Sequence, residues 1–190
     1  TMATAHVLFN ELNFQGEQIE FNSKSGMLTV KKVEDKLQLD FPADFAQSVE
    51  PILVFAEAFG THPLATFKGR TDYLLLFDSE ETIQEFQPDI SLLLSTNARG
   101  IMVTAKGKEV DFVSRFFAPA VGVNEDPVTG SAHTTLIPFW AKRLNKTEMT
   151  ALQLSARGGQ LWCTLSGDRV LIAGKAVTYL RGEIEILIKN

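Results

Sequence analysis

The feature that most constrains this chain is that it repeats itself. The segment IEFNSKSGMLTVKKVEDKLQLD, starting at Ile19, lies without gaps on LQLSARGGQLWCTLSGDRVLIA, starting at Leu152. Phe21 falls on Leu154, Gly26 on Gly159, Leu28 on Leu161, Asp35 on Asp168, Lys36 on Arg169, Leu37 on Val170 and Leu39 on Ile172. Each copy reads as strand, Gly turn, strand, Asp-Lys/Arg turn, strand, from alternating apolar residues bounded by turn formers. Any two three-stranded meanders look somewhat alike, but a register kept through both turns points to a duplication. The helices ahead of the copies match after a one-residue shift, with Leu12 on Leu144 and Phe9 on Ala141. The expectation is an α/β (α+β) fold of two pseudo-symmetric lobes, each a mixed curled sheet around a central helix. By this symmetry Thr1 falls on His133, which predicts an incomplete first lobe over residues 1–43. Residues 44–190 form the second lobe, with the last strand free to return to the first.

Local patterns fill in the elements. Met2, Ala5, Val7, Leu8, Phe9 and Leu12 fit a buried first helix. Residues 44–59 read as helical segments interrupted at Pro51, and residues 66–67 as a short strand. Residues 72–77 (DYLLLF) form a buried strand, and a helix capped by Asp78 or Ser79 follows over 82–86. Residues 90–94 make a short helix. Strands are expected over 100–105, 110–117, 152–155, 161–165, 170–173 and 177–188. Strands joined partly by hairpins and partly through helices make mixed sheets.

The chemistry concentrates in residues 124–144, NEDPVTGSAHTTLIPFWAKRL. A turn with two acids and Pro127 leads into a helix that Thr129 or Ser131 can cap. Gly130 lets a ligand approach the backbone closely. The N–H donors of such a helix start suit an anionic group, and Glu125 or Asp126 can move a proton beside it. The plainer reading is a capped helix after a polar turn. Elsewhere the signals are negative. The net charge is −5 with no basic stripe, which argues against nucleic acid and acidic membrane surfaces. Cys163 is the one cysteine, so no internal disulfide or cysteine-based metal site can form. His6, His62 and His133 lack ligand spacing. No apolar run is long enough to span a membrane, and no signal peptide is evident; a cytoplasmic location is expected.

Several segments together resemble one family: ATAHVLF near the start, SRFFAPAVGVNEDPVTGSAH, the FWAKRL helix and LQLSARGGQLWCTLSGDRVLIAGKAV. They resemble the PhzF family, named for phenazine biosynthesis, with its diaminopimelate-epimerase-like fold. The resemblance covers essentially the whole chain. It implies two lobes with the active site between them, and isomerases that move a proton within a small substrate without metal or cofactor. The family's base is a glutamate in the first lobe, beside a histidine in a Gly-His-Ala turn. Both positions fall before Thr1, so by this resemblance the chain alone should not catalyse the family reaction. What carries over is the second-lobe half: Asp126 as catalytic carboxylate, and Gly130 and Ser131 as substrate-binding groups.

The remaining candidates are weaker. Glu125 is the solvent-facing alternative to Asp126. His133 either lines the cleft or makes a structural hydrogen bond, and His6 is read as a satisfied core residue. Arg157 can hold a carboxylate or stand in solvent. Ser131 stands where thiol-dependent epimerases of this fold carry cysteine, which disfavours a two-thiol racemase. Two functions compete: an isomerase acting on a small carboxylated substrate, and a non-catalytic family member acting in binding. An open sheet edge and an uncovered helix in the short first lobe predict a homodimer or completion by another chain.

Overall fold

The structure, a computed structural model, describes residues 1–23, 26–183 and 185. Its strands form one continuous sheet in the order β1-β2-β3-β11-β10-β9-β8-β7-β6-β5-β4. They are β1 (Gln18–Ser23), β2 (Gly26–Val33), β3 (Lys36–Pro42), β4 (Gln47–Val49), β5 (Ala65–Lys68), β6 (Tyr73–Leu76), β7 (Ile101–Lys106), β8 (Phe112–Phe117), β9 (Glu148–Gln153), β10 (Gly159–Ser166) and β11 (Arg169–Gly174). β6/β7 and β8/β9 run parallel and the other neighbours antiparallel. The helices are α1 (Met2–His6), which continues as a wider turn over Val7–Glu11, α2 (Leu53–Phe59), α3 (Glu80–Glu85), α4 (Ile90–Ser95) and α5 (Gly130–Leu144).

The repeat is visible in the strand boundaries. β2 and β10 coincide end to end under the sequence alignment, and β3 and β11 start together. The two meanders join edge to edge through β3 and β11, where Leu39 faces Ile172. These two residues are also repeat counterparts, so a pseudo-twofold axis passes between them. β1 and β9 break the symmetry. Two residues connect β1 to β2, but five (154–158) connect β9 to β10, which moves β9 three residues away from the ungapped alignment.

Packing follows from how many faces each strand buries. Residues in β6, β7 and β8 are buried on both faces, which is why YLLLF and IMVTA read as continuous apolar runs. Leu74, Leu76, Met102, Phe112 and Phe116 pack with Leu136, Ile137 and Trp140 of α5. Leu75, Ile101, Val103, Val113 and Phe117 pack on the other face with Phe55, Phe59, Ile83 and Leu93 from α2, α3 and α4. β3, β9 and β11 alternate instead. Ala5 and Phe9 pack against Ile19, Val30, Leu37 and Leu39 in the smaller cluster of the first repeat.

Three expectations need correction. Residues 44–59 are not helical throughout: β4 pairs with β5 at the sheet edge, and α2 begins only at Leu53, beyond Pro51. Asp44 is tied down by backbone and side-chain bonds, which holds the chain extended there. The first helix is also less buried than its pattern implies. Ala5 and Phe9 are buried, but Val7 is 44% and Leu12 67% exposed, because the wider turn rotates them away from the sheet. Finally, residues 177–183 have no regular structure, and most of the rest of the expected last strand (184 and 186–188) lies outside the described residues.

α5 contains Pro138 and remains helical through it. A proline in a helix lacks the N–H that would bond to the carbonyl four residues earlier. That carbonyl belongs to Thr134, and it accepts instead from the Asp44 N–H at 3.0 Å. The Thr135 hydroxyl donates to the Asp44 carboxylate at 3.1 Å. The segment joining β3 to β4 is thereby fastened to the second turn of α5.

The Leu39 side chain packs beside the axis that joins the repeats. Leu39→Ala is expected to cost about 2–5 kcal/mol, read as a lower urea midpoint with an unchanged slope.

Candidate functional site

The site forms where β8 ends and α5 begins, and its parts are built by β9. After Phe117, a short 3-10 turn (Pro119–Val121) and a bridge between Ala118 and Val123 reverse the chain. The Asp126 N–H then returns to the Phe116 carbonyl at 3.0 Å. This brings Glu125, Asp126 and the first turn of α5 to the same edge.

The two adjacent acids have different partners. Glu125 is not solvent-facing as expected: it takes two hydrogen bonds from Arg115, Nε to Oε1 at 2.7 Å and Nη2 to Oε2 at 3.0 Å. Arg115 is buried, and its Nη1 donates to the carbonyls of Ile83 and Phe86 at 3.1 and 2.8 Å. A buried guanidinium held in this way on two nitrogens by a carboxylate and on the third by two carbonyls grips its carboxylate firmly. Glu125 is therefore a structural anion. Asp126 has no cationic partner among the described residues. Its Oδ2 accepts from the Thr129 hydroxyl at 2.5 Å, and its Oδ1 takes no bond from them.

Sequence reading missed Gln153. It is fully buried at the end of β9. Its Oε1 accepts the Thr129 N–H at 2.8 Å, and its Nε2 donates to the Asp126 carbonyl at 2.6 Å and to Thr129 Oγ1 at 3.1 Å. The signal was present: in EMTALQ the alternation that buries Met149 and Ala151 also points Gln153 inward. An amide at such a position needs partners. The wide β9–β10 turn adds a second clamp. The Ser155 hydroxyl donates to the Pro127 carbonyl at 2.7 Å, and Gly158, at φ +70°, donates its N–H to Ser155 Oγ at 3.1 Å. Gly159 lies directly against Val128. The Arg-Gly-Gly turn thus shapes the acidic loop, while Arg157 itself is exposed and has no partner among the described residues.

α5 starts at Gly130 without a side-chain cap: Thr129 occupies the cap position, but its hydroxyl is turned to Asp126. The first-turn N–H groups of Gly130, Ser131 and Ala132 lack acceptors within the helix. Ser131 is exposed and Gly130 half-buried. A methyl group on Gly130 would meet nothing nearer than Phe41 Cε2, at 4.0 Å. Phe41 belongs to β3 of the first repeat. In the same way Met2, at the start of α1, lies 3.3 Å from where a methyl on Gly174 of β11 would be. Each helix therefore starts over the other repeat's third strand, on either side of the axis.

His133 does not reach the open side of the site. It is fully buried, and its Nδ1 donates to the Thr129 carbonyl at 2.7 Å. Its Nε2 has no partner among the described residues. Burial pushes its pKa down to about 4, so the ring is neutral near pH 7. His6 is half-buried and bonded to Asn10 and Thr178. Burial pushes the Cys163 thiol up to about 12, which makes it inert. Among the described residues no group of three His, Cys, Asp or Glu side chains could hold a metal ion, and no helix is long and apolar enough to cross a membrane. Two hollows, of about 600 and 270 Å³, lie over the first repeat, around Phe14 and Lys31 and around Gln38 and Asp40. Neither includes Asp126 or Ser131.

Comparison with known proteins agrees with this layout. A family model described as phenazine biosynthesis-like protein matches residues 1–182. A protein of Pseudomonas aeruginosa named as an uncharacterised isomerase is 50% identical over 186 residues, covering 98% of this chain and 71% of that protein. Another uncharacterised isomerase, from Halalkalibacterium halodurans, is 47% identical over 97% of this chain and 71% of its own length. A crystal structure of a PhzF-family protein from Enterococcus faecalis superposes with a TM-score of 0.94 at 42% identity, over 97% of this chain and 71% of that one.

Two outcomes follow. A Gly159→Ala side chain would stand 2.3 Å from Val128 Cγ2, so about 1–3 kcal/mol of stability should be lost in denaturant melts, whereas Gly130→Ala should cost far less. His133 contributes a pH-dependent part of the stability. Its folded pKa, about 4, lies below the ordinary value of 6.5, so the unfolded chain takes up the proton first. Its contribution is complete above about pH 6.5 and is lost as pH falls toward 4, a few kcal/mol at most. Unfolding midpoints across that window should fall more steeply for the wild type than for His133→Gln.

Proposed function

The chain belongs to the PhzF family of phenazine biosynthesis-like proteins, and from that premise we propose that it serves an isomerase. The reaction is a cofactor-independent proton shift within a small carboxylated substrate held between the two repeats. One observation carries this reading: of two adjacent acids, Glu125 is neutralised by Arg115 while Asp126 keeps an oxygen free beside the uncapped start of α5. The N–H groups of Gly130 and Ser131 bind the substrate carboxylate, and the Ser131 hydroxyl adds a donor. Asp126 orients the substrate or exchanges the proton, within reach of the same anion site. Phe41 forms the wall contributed by the first repeat. The names of the two bacterial isomerases support the reaction class; neither name gives a substrate.

Association and location belong to the same proposal. β1 stands at the end of the sheet, and Val7, Leu12 and Phe14 are exposed near it. We propose that a second copy covers this end, and that the protein works in the cytoplasm, where a lone buried cysteine stays reduced.

The test is isotope exchange. The full gene product is incubated in D₂O with α-amino acids and cyclic unsaturated carboxylic acids, and deuterium incorporation is followed by NMR. One acid should gain a single deuterium, and Asp126→Asn should slow this by about 10²-fold or more. An unchanged rate in that variant removes Asp126 from the chemistry. Tight binding of an acid with no exchange would instead favour a binding protein. Sedimentation should give twice the monomer mass, and a stable monomer would overturn the association.

A further inference from the structure

The buried amide of Gln153 has a role that the acid/base reading leaves unassigned. We infer that Gln153 is a positioning residue that decides which oxygen of Asp126 faces the substrate, acting through the Thr129 hydroxyl. The inference rests on Asp126 being the reactive carboxylate.

Donors and acceptors match one to one around this amide. Gln153 Nε2 has two protons, and the structure gives each an acceptor: the Asp126 carbonyl and Thr129 Oγ1. Its Oε1 faces the Thr129 N–H. Flipping the amide would set oxygen against a carbonyl and NH₂ against N–H, so only one orientation satisfies the site. Thr129 Oγ1 already accepts from Nε2, and Nε2 cannot accept in return. The single hydroxyl proton of Thr129 therefore goes to Asp126 Oδ2, at 2.5 Å. Each donor fixes the next: amide, hydroxyl, carboxylate.

The consequence is asymmetry between two chemically identical oxygens. Oδ2 is occupied and points into the protein. Oδ1, with no bond from the described residues, is left for the substrate. Gln153 can impose this because it is buried and held at the end of a strand paired to both its neighbours, β8 and β10. His133 steadies Thr129 as well, by donating to its carbonyl. Without the Gln153 amide, the Thr129 hydroxyl is free to turn, and the Asp126 side chain loses its fixed rotamer.

The experiment reads the Asp126 carboxyl directly. In protein carrying ¹³C-labelled aspartate, its side-chain carboxyl resonance is assigned by its loss in Asp126→Asn. Gln153→Met removes the amide at similar size, and Thr129→Val removes only the hydroxyl. Both should shift the resonance, while Thr129→Ser, which restores the hydroxyl, should return it to the wild-type position. Should Gln153→Met not fold, Thr129→Val with its serine rescue carries the test alone. A resonance at the wild-type position in Thr129→Val overturns the relay. Exchange in D₂O separates this from the catalytic reading. A shifted resonance with exchange indifferent to Asp126→Asn sinks the catalytic role and keeps the relay. If both hold, Gln153→Met should lower the exchange rate by about 10-fold or more, with KM little changed and no further loss when added to Asp126→Asn.

Discussion

The rest of the structure depends on the pairing of β3 with β11. Each repeat alone is a three-stranded meander with one apolar face and a single helix, too little to bury a core of its own. Joined through β3 and β11, the two become one sheet with both helices on the same side. The antiparallel sense of that join makes the arrangement twofold rather than translational, and so the helix starts meet at the axis. The start of α5 and the ring of Phe41 beside it come from opposite repeats for this reason alone.

The site then divides two adjacent carboxylates by their partners. Glu125 meets a buried guanidinium whose Nη1 protons are taken by backbone carbonyls. It is a fixed charge that locks the acidic loop to the end of α3. Asp126, one residue on, meets only neutral donors. Alternation of the backbone turns one acid inward and the next toward the helix start, so neighbouring carboxylates meet different partners.

Much of this was legible in the sequence. The ungapped repeat located β2, β3, β10 and β11, because apolar alternation and Gly or Asp-Lys/Arg turns set strand register locally. The buried strands β6 and β7 showed as apolar runs, and EDPVTGSAH marked the loop before α5. Other features were not legible for physical reasons. The Arg115–Glu125 pair depends on a fold-back between residues ten apart, and Asp126 and Gln153 come together only because β9 lies beside β8. Gln153 left a trace in its inward phase, but a single polar residue in an alternating strand does not name its partner. β4 was lost because its extended form is set by what Asp44 binds, not by its own residues.

Pro138 gives the fold a mechanical property. The carbonyl it leaves free is the anchor for the segment entering the second half of the chain, so α5 is pinned within its second turn as well as at the loop that leads into it. A rod held at one end can swivel; a rod held at two points cannot. Because Gly130 lies only about one turn from that pin, any shift between the halves of the molecule must either be borne by the Asp44 bonds or be delivered, as a tilt, to the start of the helix.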